Sequence, residues 1–239
     1  MKLTYIHHSG YAIETVDFTV IIDYYKDSSE NKEEGVIDKL LKRSGKLYVL
    51  STHSHADHFN PEILKWKEFK KDIVYIFSKD ILDNNLAKSE DAVYLDKLET
   101  YKDSYISVQA FGSTDLGVSY LLHLKDKTIF HAGDLNNWHW NEESTEQEIK
   151  EAEDYYEREL QLLADNVKHI DLAMFPIDPR LGKDYLKGAK QFIDAIKVSI
   201  LAPMHFDEAY SKAAAFESIA SAKGCRFISW KHKGESIEF

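Results

Sequence analysis

Short runs rich in apolar residues at 3–5, 11–14 and 19–23 predict a meander of short strands. The acidic stretch 27–34 breaks the pattern and reads as a loop. Val36, Leu40 and Leu41 then fall at helical spacing within 35–42. Residues 46–51 form a short apolar run, a buried strand; 62–69 reads as a helix and 72–77 as a strand. Further strands are predicted at 92–95, 104–111, 117–124 and 128–131, with Lys125, Asp126 and Lys127 turning between the last two. The second half changes period. Ile149, Ala152, Tyr156, Leu160, Leu163 and Val167 recur at steps of three and four, so 142–167 is an amphipathic helix with a charged outer face. A strand at 170–175, a helix at 183–196, a strand at 198–202, a helix at 207–222 closed by Gly224, and strands at 226–230 and 236–239 complete the chain. Strands interleaved with helices imply a layered α/β protein, sheets inside and helices outside.

Composition narrows the function classes. The 239 residues carry 41 acidic against 30 basic side chains, a formal net charge of -11. Arg43, Arg158, Arg180 and Arg226 are the only arginines, so a nucleic-acid backbone is a poor partner. A hydrophobic fraction of 44% supplies a sizeable core. No run approaches the ~18 apolar residues of a membrane span, and the opening MKLTYIHHSGYAI lacks the features of a signal peptide. Cys225 stands alone, which excludes an internal disulfide and suits a reducing compartment. These features predict a cytoplasmic protein acting on a small molecule, with no nucleic-acid or membrane partner and an undetermined oligomeric state.

One segment carries the chemistry. Directly after the strand at 46–51 stand Ser51, Thr52, His53, Ser54, His55, Ala56, Asp57, His58 and Phe59. Neutral imidazole and carboxylate are the ligands of zinc and related divalent ions. In an extended stretch His53, His55 and Asp57 project to one side, with His58 reaching a second point.

This HxHxDH pattern resembles that of the metallo-β-lactamase superfamily. The likeness continues in Gly133-Asp134 after the apolar Ile129-Phe130, in His205 after Ile200-Leu201-Ala202-Pro203-Met204, and in Asp23 closing Val20-Ile21-Ile22. His8-Ser9-Gly10 resembles a turn of the small single-domain branch that includes L-ascorbate-6-phosphate lactonase. The resemblance implies a four-layer αββα sandwich, one metallo-β-lactamase-type domain over 1–239. It implies His53 and His55 on a first ion, Asp57, His58 and His205 on a second, and Asp134 bridging. Zinc is the expected ion, with manganese, iron and nickel as alternatives, and one or two ions bound. Asp57 is the candidate catalytic residue, orienting hydroxide and accepting its proton. Asp23 is expected behind the ligands, accepting an N–H from a ligand histidine.

The pattern departs from the family at Ser113, in Phe111-Gly112-Ser113-Thr114-Asp115, where the resemblance calls for a third first-site histidine. Asp115 or Ser113 could substitute, His139 could swing in from the next loop, or the first site could be weak. His8 and Trp138 are candidates for the site mouth or pocket wall. Arg180 is a candidate for a substrate carboxylate or phosphate, against a plain salt bridge to Asp178 or Asp184. The expected function is metal-dependent hydrolysis, metal-bound hydroxide attacking a small ester, lactone, amide or phosphodiester. The alternative is a metal-binding member with little hydrolytic activity, because Ser113 replaces the histidine.

Overall fold

The computed structural model describes residues 1–31 and 33–239. The expected loop over 27–34 consists of bends and turns, apart from Lys32, which lies outside the described residues. Backbone contacts gather the chain into two units, residues 1–96 with 230–239, and residues 97–229. Each contains one seven-stranded mixed sheet with its own helices.

In the first unit the strands are β1 (Lys2–His7), β2 (Gly10–Glu14), β3 (Phe18–Ile22), β4 (Lys46–Ser51), β5 (Ile73–Ser78), β6 (Val93–Leu95) and β14 (Ser236–Glu238), in the order β14-β1-β2-β3-β4-β5-β6. Strands β14, β1, β2 and β3 pair antiparallel; β3 through β6 pair parallel. Helix α1 (Ile37–Lys42), a 3₁₀ segment (Pro61–Glu68) and α2 (Lys79–Asp83) accompany them. Their apolar side chains join those of the sheet: Ile37, Leu40, Ile63, Trp66 and Ile81 pack in one cluster with Ile21, Val49 and Phe77.

The second unit repeats the scheme. Strands β7 (Thr100–Lys102), β8 (Ile106–Gly112), β9 (Val118–Leu124) and β10 (Lys127–His131) form an antiparallel meander. Strands β11 (His169–Pro176), β12 (Lys197–Met204) and β13 (Arg226–Phe227) continue it in parallel from β10. Helix α3 (Glu146–Asn166) starts in a capping box, with Thr145 and Glu148 each accepting from the other's backbone N–H. Its apolar stripe buries Tyr156, Leu160 and Leu163 as the period predicted. Helix α4 (Lys187–Ala195) brings Phe192 onto Phe130 and Phe175, stacked at centroid distances of 5.5 and 4.5 Å.

Differences from the sequence pattern are local. The helix expected at 62–69 winds as 3₁₀, and Tyr75 donates its hydroxyl to the Ile63 carbonyl that an α-turn would have used. The helix expected at 207–222 is split into α5 (Tyr210–Ala214) and α6 (Glu217–Ala222) where Ala215 and Phe216 turn with three-residue hydrogen bonds; Phe216 is thereby fully buried against Phe227. The helix at 183–196 resolves into a 3₁₀ segment (Pro179–Asp184) followed by α4. Helix α2 and strand β7 were not expected, being too short to show a period. No helix among the described residues is long and apolar enough to cross a membrane.

Candidate functional site

In each unit the chemistry-bearing residues stand just past the C-terminal ends of adjacent parallel strands. Strands β3 and β4 pair Ile22 with Leu50, so Asp23 stands level with Ser51, the last residue of β4. Thr52, the next residue, donates its backbone N–H (2.8 Å) and its hydroxyl (2.7 Å) to the Asp23 carboxylate. The His8 turn joins β1 to β2 at this same end. Gly10 has to be a glycine there, because a Cβ would lie 2.9 Å from the His7 carbonyl and 3.0 Å from that of Asp23.

The His53–His58 segment is not extended, contrary to the expectation. It is a run of bends and turns, in which His58 and Phe59 both donate their N–H to the His55 carbonyl. Ser54 is tied by its N–H to Asp80 (2.8 Å). The turn brings the rings of His53 and His58 to 4.0 Å and those of His53 and His55 to 4.8 Å. Ligand atoms of His53 and His55 lie within 4.8 Å of each other, as do those of His8, Asp57 and His58.

Proton bookkeeping fixes the tautomers. Asp23, fully buried, can only accept, so the Thr52 hydroxyl proton points to it. The Thr52 oxygen, 3.0 Å from His53 Nδ1, must then accept from that nitrogen, which places the His53 proton on Nδ1. His58 Nδ1 lies 2.7 Å from the same carboxylate and donates to it. One aspartate thus keeps the proton of both histidines on Nδ1 and leaves Nε2 unprotonated, the form a metal requires. Asp57 is half-exposed and receives His8 Nε2 at 3.3 Å; that hydrogen bond holds its carboxyl well below the usual range, against the opposing effect of burial.

The second unit uses the same device. Strands β11 and β12 pair Pro176 with Met204, and Ile177 donates its N–H to the Met204 carbonyl. Asp178 and His205 therefore emerge side by side, with His205 Nδ1 2.9 Å from Asp178 Oδ2. A carboxylate at this distance requires the proton on Nδ1, leaving Nε2, which lies 3.4 Å from Asp134 Oδ1. Burial pushes the Asp178 carboxyl up, but hydrogen bonds from His205 and Arg180 outweigh it and hold it at about 2. Burial pushes the His205 imidazole down, but the Asp134 and Asp178 carboxylates more than reverse this and raise it. The Asp134 carbonyl is pinned by Trp138 Nε1 (2.8 Å) and the Thr114 hydroxyl (3.2 Å), and the Trp138 ring meets His205 edge-on at 5.5 Å.

The remaining candidates are placed as follows. Both ring nitrogens of His139 are engaged, Nε2 with the Asp184 carbonyl (3.3 Å) and Nδ1 with the Asn141 N–H (3.2 Å), so the proposed swing of His139 toward a ligand role would have to break both. Ser113 is buried and accepts from the Asp115 N–H at 3.3 Å. Arg180 bonds Asp178 through Nε and Nη2, the salt bridge set against a substrate contact in the sequence, and its side chain is 59% exposed. Sequence reasoning missed Asp178 and Thr52 as supports of the ligand histidines. The signal for Asp178 was present: like Asp23, it is an aspartate directly beyond an apolar strand.

In each unit the donor chemistry suits a divalent metal: His53 and His58 have Nδ1 tied back, with Asp57 beside His58, and in the second unit His205 has Nδ1 tied back, with Asp134 beside it. Comparison with known proteins agrees. A UPF0173 metal-dependent hydrolase of Desulforamulus reducens is 23% identical over 226 residues, covering 87% of this chain and 85% of its own. Among solved structures, Igni18, a metallo hydrolase of Ignicoccus hospitalis, matches with a TM-score of 0.70 at 16% identity, over 100% of this chain and 98% of its own. CmlA, a diiron β-hydroxylase of Streptomyces venezuelae, matches with a TM-score of 0.71 at 15% identity, over 100% of this chain and 54% of its own. The two mixed sheets with their helices and these neighbours establish the αββα metallo-β-lactamase fold. Residues 2–153 match the family model described as the beta-lactamase superfamily domain, and the chain belongs to that family.

Proposed function

We infer that this family member is a metal-dependent hydrolase of small esters, lactones, amides or phosphodiesters. His53, His55, Asp57, His58, Asp134 and His205 would hold one or two divalent ions, zinc foremost. The observation that carries the reading is the tautomer control: a buried carboxylate in each unit, Asp23 and Asp178, holds a histidine by Nδ1 and so keeps its Nε2 unprotonated. A divalent ion in such a donor set supplies Lewis acidity and lowers the pKa of water. Asp57, ionised and half-exposed, accepts a hydrogen bond from an incoming water at its carboxylate and so orients it. His8 holds that carboxylate in place. Asp23 and Asp178 keep the imidazole protons on Nδ1 throughout. The similarity to a metal-dependent hydrolase and a metallo hydrolase favours this reaction class. A lone cysteine suits the cytoplasm as its location.

Ser113 favours a second reading, metal binding with weak turnover, since a neutral hydroxyl is a poor zinc ligand. Asp115 and Ser113 itself are the candidate replacements for the missing imidazole. The experiment is to count ions by native mass spectrometry and assay hydrolysis on an ester, lactone, amide and phosphodiester panel, for the wild type and Asp134→Ala. Turnover that Asp134→Ala abolishes together with metal supports the hydrolase. One tightly held ion and no turnover on any substrate supports the second reading. Full metal content and activity in Asp134→Ala would overturn the ligand assignment.

A further inference from the structure

We propose that Trp138 and Trp140 form an aromatic shelf that selects substrates carrying a planar aromatic group next to the scissile bond; this rests on the hydrolase reading. The chain has four tryptophans, and Trp66 and Trp230 are each only 3% exposed. Trp138 and Trp140 alone are partly open to solvent, and they stand on the loop that follows Asp134. Each indole is partly buried and keeps part of its surface in contact with solvent.

The placement of the pair is held from several directions. The Trp138 indole N–H is spent on the Asp134 carbonyl at 2.8 Å, so what the ring offers outward is its π-face and edge rather than a donor. The Trp138 edge-on contact with His205 sets the shelf directly beside a proposed ligand. Trp140 stacks with Trp138 at 6.2 Å and an interplanar angle of 15°, so the two indoles lie nearly parallel. Trp140 does this from a left-handed backbone, φ 42°, a conformation that costs a bulky L-residue about 1–2 kcal/mol. Its carbonyl, accepting from Glu143 and Ser144, holds that conformation. The ligand class is therefore defined by planarity: an aryl ester, aryl amide or aryl-substituted lactone in preference to an aliphatic one of equal size.

The test uses phenylacetate and cyclohexylacetate, two carboxylate probes of the same charge and similar size that differ in the planar ring. Their binding to the metal-loaded protein is read by calorimetry and by quenching of tryptophan emission, with no turnover required. A ring stacked on an indole is worth about 0.5–1.5 kcal/mol beyond its area, so phenylacetate should bind about two- to twelvefold tighter in the wild type. Trp138→Leu should bring the ratio close to one, and Trp138→Phe should restore the preference. Trp140→Leu, which leaves the bond to Asp134 intact, should lower the ratio with unchanged metal content, and it serves as the test if Trp138→Leu loses metal. Equal binding of the two probes by the wild type, or an undiminished preference in both leucine variants, would overturn the shelf. Discrimination between the probes without hydrolysis on any substrate would retire the hydrolase reading and keep the shelf; hydrolysis without discrimination would do the reverse.

Discussion

Replacing Asp178 separates its role in holding His205 from its role in folding. The carboxylate is 1% exposed and accepts from His205 Nδ1 (2.9 Å), the Arg180 N–H (2.9 Å), and Arg180 Nε and Nη2. Removing the partner of a metal-binding histidine costs about ten- to a hundredfold in metal affinity, or about 1.4–2.7 kcal/mol. Breaking a fully buried ion pair costs about 3–5 kcal/mol of stability. Arg180 is 59% exposed, however, so its guanidinium can return to water, and the loss in Asp178→Ala should fall below that range. Asp178→Asn keeps an oxygen that can accept from His205 Nδ1 while losing the charge, and should lie between wild type and Asp178→Ala in both measures. Metal affinity is read by competition with a chromophoric chelator, and stability by urea unfolding of the metal-free protein. An Asp178→Ala variant that stays folded and holds metal as tightly as the wild type would refute the claim that this carboxylate orients His205.

Asp23→Ala should weaken metal binding more than Thr52→Val, because Asp23 controls His53 and His58 while Thr52 relays only to His53; the Co(II) absorption of the two variants and the wild type measures this, and equal losses would contradict the relay. Thr145→Ala removes the side-chain half of the α3 capping box and should cost about 1 kcal/mol in urea unfolding. Burial pushes the Cys225 thiol up to about 11, against a small opposing effect of the Leu201 backbone, so at pH 8 only about a thousandth is thiolate. Iodoacetamide should therefore label Cys225 slowly in the native protein and rapidly in urea, as followed by intact mass; fast native labelling at pH 8 would count against the buried placement.

Much of the architecture was legible because long apolar runs end where the sheet ends. Val20-Ile21-Ile22, Leu47 to Leu50 and Leu172 to Phe175 are buried throughout, and Asp23, Thr52 and Asp178 come within three residues of their ends. The amphipathic period of 142–167 was equally clear, since α3 buries one face only. Short elements were not: α2 has five residues and β7 has three, and tertiary contacts rather than their own periodicity hold them. The HxHxDH segment was found by composition but given the wrong shape. Its turn depends on the His55 carbonyl and on Asp80, 26 residues from Ser54, which no local pattern exposes. Asp178 was passed over for a related reason. Its importance comes from the register of β11 against β12, not from its neighbours in the chain.

That register works as a ruler. Asp23, Thr52 and His205 follow their strands by one residue, and Asp178 follows its own by two. A one-residue slip of β12 against β11 would move His205 by about 3.3 Å and turn its ring to the opposite face of the sheet. Insertions in the connections between strands, such as the turn between α4 and β12, are absorbed before the pairing begins. A single residue added between Pro203 and His205 is not. The chain can therefore tolerate length changes across most of its loops, whereas the few residues between the last ladder bond and each functional side chain admit none.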